Sequence, residues 1–154
     1  PEKVSVDTKA VLFKAKSGNV ILVANDAQIL KIENGKPTFK EVRDIDGKIV
    51  APNGTRTCMT AFISYDDGKT FPHKLLLDER ADVSYPSFTQ AEDGYIYIAY
   101  DRGRGNKGQH EILMAKISED DIIAGKTVSP NSRLKAEISS PSKYGGGVRD
   151  GDKL

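Results

Sequence analysis

The sequence predicts an all-β chain, and three observations carry that prediction. Apolar residues gather in short runs of strand length, KAVLFKA (9–15) and TCMTAFISY (57–65) in alternation, with NVILVAN (19–25) and YIYIAYD (95–101) beside them. A period of two is the signature of a strand with one face turned inward. Turn signals punctuate these runs, at Ser17-Gly18, Asn34-Gly35, Asp67-Gly68 and Asp93-Gly94, where glycine or asparagine can take the left-handed backbone that a tight hairpin needs. Helix signals gather in one short segment only, SEDDIIAGK (118–126).

Taken in order, KAVLFKA and NVILVAN form an antiparallel pair across the Ser-Gly turn. QILKIE and KPTFKEV, joined by Asn34-Gly35, read as a second hairpin that leaves the main sheet as an excursion. DIDGKIVAPNG (44–54) is turn-rich. TCMTAFISY is a strong strand and KLLLDE (74–79) closes the first group. A second group opens with SYPSFTQ (84–90), turns at Glu92-Asp93-Gly94, continues through YIYIAYD, and crosses the loop RGRGNKGQH to EILMAKIS (111–118). Ser118 and Asp121 have capping-box spacing, and Gly125 can end the helix, which places one short helix near 119–124. From Thr127 onward Ser, Pro and Gly dominate, down to KYGGGVRDGDKL, and the expectation is a polar C-terminal tail over 127–154, in loop or partly disordered. The expected organisation is therefore residues 1–126 as two sheet units, about 9–78 and 83–118, followed by that tail. Units of three or four up-and-down strands have the size of a propeller blade.

Composition narrows the function classes. The 154 residues are 38% hydrophobic and 29% charged, enough for an ordinary domain with a core. Basic and acidic residues number 23 and 22 and are interspersed, so the basic face of a nucleic-acid binder is not expected. No apolar run approaches a membrane-spanning helix, and no basic, then apolar leader opens the chain. Cys58 is alone, which excludes an internal disulfide and leaves the redox compartment open. His73 and His110 are isolated without metal-ligand spacing, so neither a metal nor a cofactor is expected. GRGNKG (103–108) has the glycine spacing of a dinucleotide loop, but a strand rather than a helix follows it, so that reading is rejected. Asn53-Gly54-Thr55 is a glycosylation sequon, relevant only in a secretory pathway. A first residue of Pro rather than Met suggests a processed or truncated chain.

One stretch asks for more than a hairpin. SYDDGKTF (64–71) places Ser64, Asp66, Gly68, Thr70 and Phe71 at fixed offsets after a strong strand. This resembles the Asp-box, or BNR repeat, found between the third and fourth strands of a sialidase propeller blade. The motif is a folding device: the carboxylate caps the turn, glycine supplies a left-handed position, and Phe71, where the family usually has Trp, tucks beneath the hairpin. The resemblance extends from Arg56 to Gly125. An Arg heads the third strand. About thirty residues later comes Tyr85 in VSYPSFTQAEDGYIYIAYD, whose second strand ends in Tyr100-Asp101, and EILMAKISEDDI follows. The chain is similar to the C-terminal portion of the sialidase (neuraminidase) superfamily, which implies a partial six-bladed β-propeller of about two antiparallel blades.

The resemblance also implies a chemistry. Sialic acid carries a carboxylate on the carbon that is attacked, so a neutral tyrosine approaches where a carboxylate nucleophile would be repelled. A phenol titrates near pH ~10 and needs a base beside it. By resemblance Tyr85 is the nucleophile, Arg56 is one of three arginines that fork onto the substrate carboxylate, and Asp101 holds another arginine in place. Two arginines, an acid/base Asp and a Glu that activates the Tyr would lie in upstream blades. The chain by itself is then expected to be inactive, a piece of an exo-glycosidase acting on terminal sialic acid or a related acidic sugar. Pro86 stands where relatives have Ser, and Asp101 where many have Glu, which points to a divergent branch. Read without the family, Arg56 is a surface ion-pair partner, Asp101 pairs with Arg102 or Arg104, Tyr85 packs, and Tyr95, Tyr97 and Tyr100 belong to the sheet. A glycan-binding propeller without catalysis, or a scaffold propeller, stays open beside the enzyme. The expected partners are a glycan, no nucleic acid, no membrane, and either the missing upstream blades or a second copy against exposed blade edges.

Overall fold

The computed structural model describes residues 8–26, 29–34, 36–43, 48–50, 56–103 and 111–140. The fold is all-β, built on two antiparallel four-stranded sheets. In the first, β1 (Val11–Lys14), β2 (Val20–Asn25), β7 (Thr57–Ser64) and β8 (His73–Ala81) lie side by side in that order. Between β2 and β7 the chain makes its excursion: the hairpin β3 (Ile29–Glu33) with β4 (Lys36–Phe39), then the short pair β5 (Val42–Arg43) and β6 (Ile49–Val50). Val42 of this excursion packs with Cys58, Leu76 and Ala81 and so covers part of the sheet's outer face.

The second sheet is a plain meander. β9 (Val83–Gln90), β10 (Ile96–Arg102), β11 (Glu111–Ile117) and β12 (Arg133–Ser139) pair each with the next, all antiparallel. The two sheets pack face to face on one core, because the alternation of each strand sends the same parity inward. Ile21, Val23, Ala61, Ile63, Leu75 and Leu77 meet Ile96, Ile98, Tyr100, Leu113, Ala115 and Ile117 there. Phe13 of β1 stacks on Phe88 of β9 with ring centres 3.5 Å apart. Two blade-sized sheets stacked in this way are the unit of a propeller.

The helix α1 runs Glu119–Ala124, with Ser118 as N-cap, a reciprocal capping box with Asp121, and Gly125 left-handed at the C-cap. The expectation of loop or disorder from Thr127 is corrected over Arg133–Ser139, which is the fourth strand of the second sheet. Asp121 is the physical reason. Its carboxylate closes the capping box and also accepts the N–H groups of Val128 (2.6 Å) and Ser129 (2.9 Å) and the hydroxyl of Ser132. The polar segment after the helix is thereby tied down, and β12 starts in register with β11. Burial alone would push the Asp121 carboxyl up; the hydrogen bonds from Ser132, Ser118, Ser129 and Val128 outweigh it and hold it below the usual range. KYGGGVRDGDKL, His110, Arg104, the sequon and most of GRGNKG lie outside the described residues.

Candidate functional site

Strand direction sorts the side chains into two rims. β2 and β7 pair from Val20 opposite Ser64 at one rim to Asn25 opposite Met59 at the other. The Asp-box turn follows Ser64, so it belongs to the first rim. Arg56 precedes β7, Tyr85 stands near the start of β9, and Asp101 near the end of β10 pairs with Ser84. All three occupy the second rim.

At the first rim the motif closes as a hydrogen-bonded knot. The Ser64 hydroxyl donates to Asp66 Oδ1 (2.7 Å) and accepts from the Gly68 N–H (2.9 Å), while Thr70 donates its N–H (2.9 Å) and its hydroxyl (2.8 Å) to the two Asp66 oxygens. Asp67 and Gly68 both take positive φ, 56° and 83°, which explains a glycine there. The Thr70 N–H and then the Ser64 and Thr70 hydroxyls hold the Asp66 carboxyl at about 2, below its ordinary value. Phe71 sets its ring edge-on to Phe62 at 6.3 Å. The Ser64, Asp66 and Thr70 side chains all bond within the hairpin.

At the second rim, one Arg56 guanidinium nitrogen donates to the Tyr85 hydroxyl at 3.3 Å, and the guanidinium carbon sits 4.8 Å from the centre of the Tyr85 ring. Tyr85 itself is unusual. Ala99 pairs with Ser87 and Asp101 with Ser84, so Tyr85 and Pro86 together face Tyr100: a β-bulge. Tyr85 adopts φ 54°, a left-handed backbone that is rare for a bulky residue and is found where the surroundings enforce it. Bulges re-aim side chains and recur next to functional clefts. Behind Tyr85, Asp101 is buried and accepts the Ser84 hydroxyl at 2.5 Å. Arg102, the alternative partner for Asp101, is directed to Glu111 (3.2 Å) and to the Ala81 carbonyl (3.3 Å).

Two features of this rim are absent from the sequence reading. The first is Asn25. It is fully buried, and its amide nitrogen donates to both the Thr57 carbonyl (2.9 Å) and the Val83 carbonyl (3.0 Å). Thr57 follows Arg56, and Val83 lies two residues before Tyr85. With the Val83 N–H donated to the Arg56 carbonyl (3.0 Å), one side chain and one backbone bond clamp together the segments that carry Arg56 and Tyr85. The second is a buried polar network between the sheets. Asp78 takes a two-pronged pair from Arg80 (2.8 and 2.7 Å) and the Tyr100 hydroxyl (3.1 Å), and Arg80 and Arg102 both reach Glu111. Burial and then the Asp78 charge push the Tyr100 hydroxyl far up, so it stays a proton donor to Asp78. Apart from the Asp78–Arg80 spacing, nothing local announces this network, because its members sit on three strands, β8, β10 and β11.

Residues 3–98 match the family of BNR repeat-like domains, well over half of the chain. The chain belongs to that family. The BNR match spans the excursion, the Asp-box knot, Arg56 and Tyr85, and ends inside β10, just before Tyr100 and Asp101. No curated protein and no solved structure matches this BNR chain.

Proposed function

We propose that the two blades form part of a sialidase-like exo-glycosidase that releases a terminal sialic acid, or a related acidic sugar, with Tyr85 as the nucleophile. The observation that carries this reading is the Arg56–Tyr85 pair: a guanidinium on the phenolic oxygen, held at the rim away from the Asp-box turn, on a strained bulge. Arg56 would take the substrate carboxylate in its planar fork and so set the anomeric carbon against the Tyr85 oxygen. The phenol gives up its proton to a base as its oxygen bonds to that carbon, and the aglycone oxygen leaves with a proton from an acid. Water then cleaves the glycosyl–tyrosine bond, returning the proton to the phenol. The base, the acid and further arginines would come from other blades. Asp101 supports the nucleophile from behind, by fixing Ser84 immediately before it.

The test uses a protein that carries these blades within a complete propeller. Tyr85→Phe removes one oxygen; turnover of an aryl sialoside is expected to fall by at least about a thousandfold while binding of free sialic acid persists. Full activity in that variant would defeat the catalytic assignment. Retained sugar binding with no turnover even in the wild type would mark a glycan-binding propeller instead, and absence of both a scaffold.

A further inference from the structure

Arg56 is not the only cation on Tyr85. Lys9, two residues before β1, places its ammonium 5.4 Å from the centre of the same ring. Its segment reaches this rim because β1 pairs with β2 from Val11 opposite Val23 outward, toward buried Asn25. The segments bearing Lys9, Arg56 and Tyr85 thus converge on the Asn25 clamp.

The charge accounting at this rim is uneven. Arg80 and Arg102 are neutralised by Asp78 and Glu111. Elsewhere Lys14, Lys16, Lys74 and Lys135 pair with Asp67, Glu92, Asp26 and Glu79. Lys9 and Arg56 form no ion pair among the described residues, and both lie against the one aromatic ring of Tyr85 instead. Two like charges held against one ring repel one another, and an anion within reach of both offsets that repulsion. The two cations are also chemically unequal. A guanidinium offers a rigid fork to a carboxylate, whereas an ammonium is a point charge on a flexible stem that can follow an oxygen.

We infer that Lys9 is a second anion-binding residue of the Tyr85 site, and that with Arg56 it selects sugars bearing a carboxylate. The inference rests on the reading of Tyr85 and Arg56 as a glycan site. Arg56 would grip the carboxylate, and Lys9 would close on it from the β1 side. Neutral sugars of the same shape would gain nothing from Lys9.

The experiment titrates the 154-residue chain with N-acetylneuraminate, with D-glucuronate and with the methyl ester of each, followed by the backbone amide resonances of residues 83–85 and 87. The wild type is expected to prefer at least one carboxylate over its uncharged ester. Lys9→Gln should cut that preference by about five- to tenfold and leave ester binding within about twofold; Lys9→Arg should keep the preference. Added salt should erode carboxylate binding less steeply in Lys9→Gln than in the wild type. An unchanged preference in Lys9→Gln, or no carboxylate preference in the wild type, overturns the inference. The underlying reading fails separately. Glucuronate bound through Lys9 with neuraminate ignored would keep Lys9 and discard the sialidase assignment. Neuraminate bound equally by wild type and Lys9→Gln would do the reverse.

Discussion

Asn25 shows how much a single buried amide can fix. Its amide nitrogen donates to the Thr57 and Val83 carbonyls, and a nearly isosteric leucine would remove both buried bonds. Asn25→Leu is expected to destabilise the fold by about 2 kcal/mol or more, measurable by urea denaturation, and to separate Arg56 from Tyr85. An unchanged midpoint would show that the clamp is idle. Asp66 gives a second prediction, read against pH. Its carboxyl titrates at about 2 in the folded chain and near ~4 when unfolded. The stability it contributes is therefore complete above that unfolded value and is lost as pH falls toward the folded one. Acid unfolding of Asp66→Asn should lack this component, so its stability should fall less between pH ~4 and ~2 than that of the wild type. The two residues differ in legibility. Asp66 announces itself through four companions at fixed offsets, whereas a lone asparagine at a strand end reads as the start of a turn. Its role exists only once three distant segments are brought together.

Among the elements, the helix and the strand after it make the sharpest contrast. Ser118, Asp121 and Gly125 specify α1 locally, so it is legible to the residue. β12 is specified from a distance. RLKAEIS does alternate, and Leu134 reaches the core from it. That short pattern is diluted by the polar stretches on either side, and what orders it is the second use of the Asp121 carboxylate. Asp121→Ala should therefore release more than the first turn of a short helix. Amide exchange at Arg133–Ser139 should accelerate by one to two orders of magnitude, while β9 and β10 keep their protection. Exchange lost only at residues 119–121 would confine Asp121 to its capping role.

Across the whole molecule, stability depends on how the two sheets face each other, and there the polar network adds to the shared apolar core. Asp78 is fully buried and answers both Arg80 and Tyr100. Asp78→Ala would strand a guanidinium and a phenol, and is expected to cost about 3–5 kcal/mol, whereas Tyr100→Phe, which leaves the ion pair intact, should cost about 1–3 kcal/mol. Equal losses in the two variants would show that Arg80 adds nothing. The outward faces point to a further property. Leu12, Ile112 and Ile138 are more than one-third exposed, on strands that further blades or a second copy could cover. Sedimentation of the isolated chain should show concentration-dependent association, weakened by Leu12→Lys together with Ile138→Lys. A single monomeric boundary at all concentrations would count against it. The alternation of apolar residues made both sheets and their parity legible from sequence. The docking of one sheet on the other was not, because the Asp78–Arg80 pair of β8 meets Tyr100 and Glu111 only across the interface.

The bulge at Tyr85 and Pro86 ties the site to a count of residues rather than to their kind. Two residues of β9, Tyr85 and Pro86, stand opposite one residue of β10, Tyr100. Removing Pro86 would let the ladder close evenly and relieve a backbone that costs about 1–3 kcal/mol to hold. The tyrosine would then fall into step opposite Tyr100, and its ring would leave the two cations that now flank it. A shortened chain of this kind could be as stable as its parent and blind to the ligand. Length in this strand is thus under a constraint separate from composition, because the place of the Tyr85 ring depends on the extra residue of the bulge.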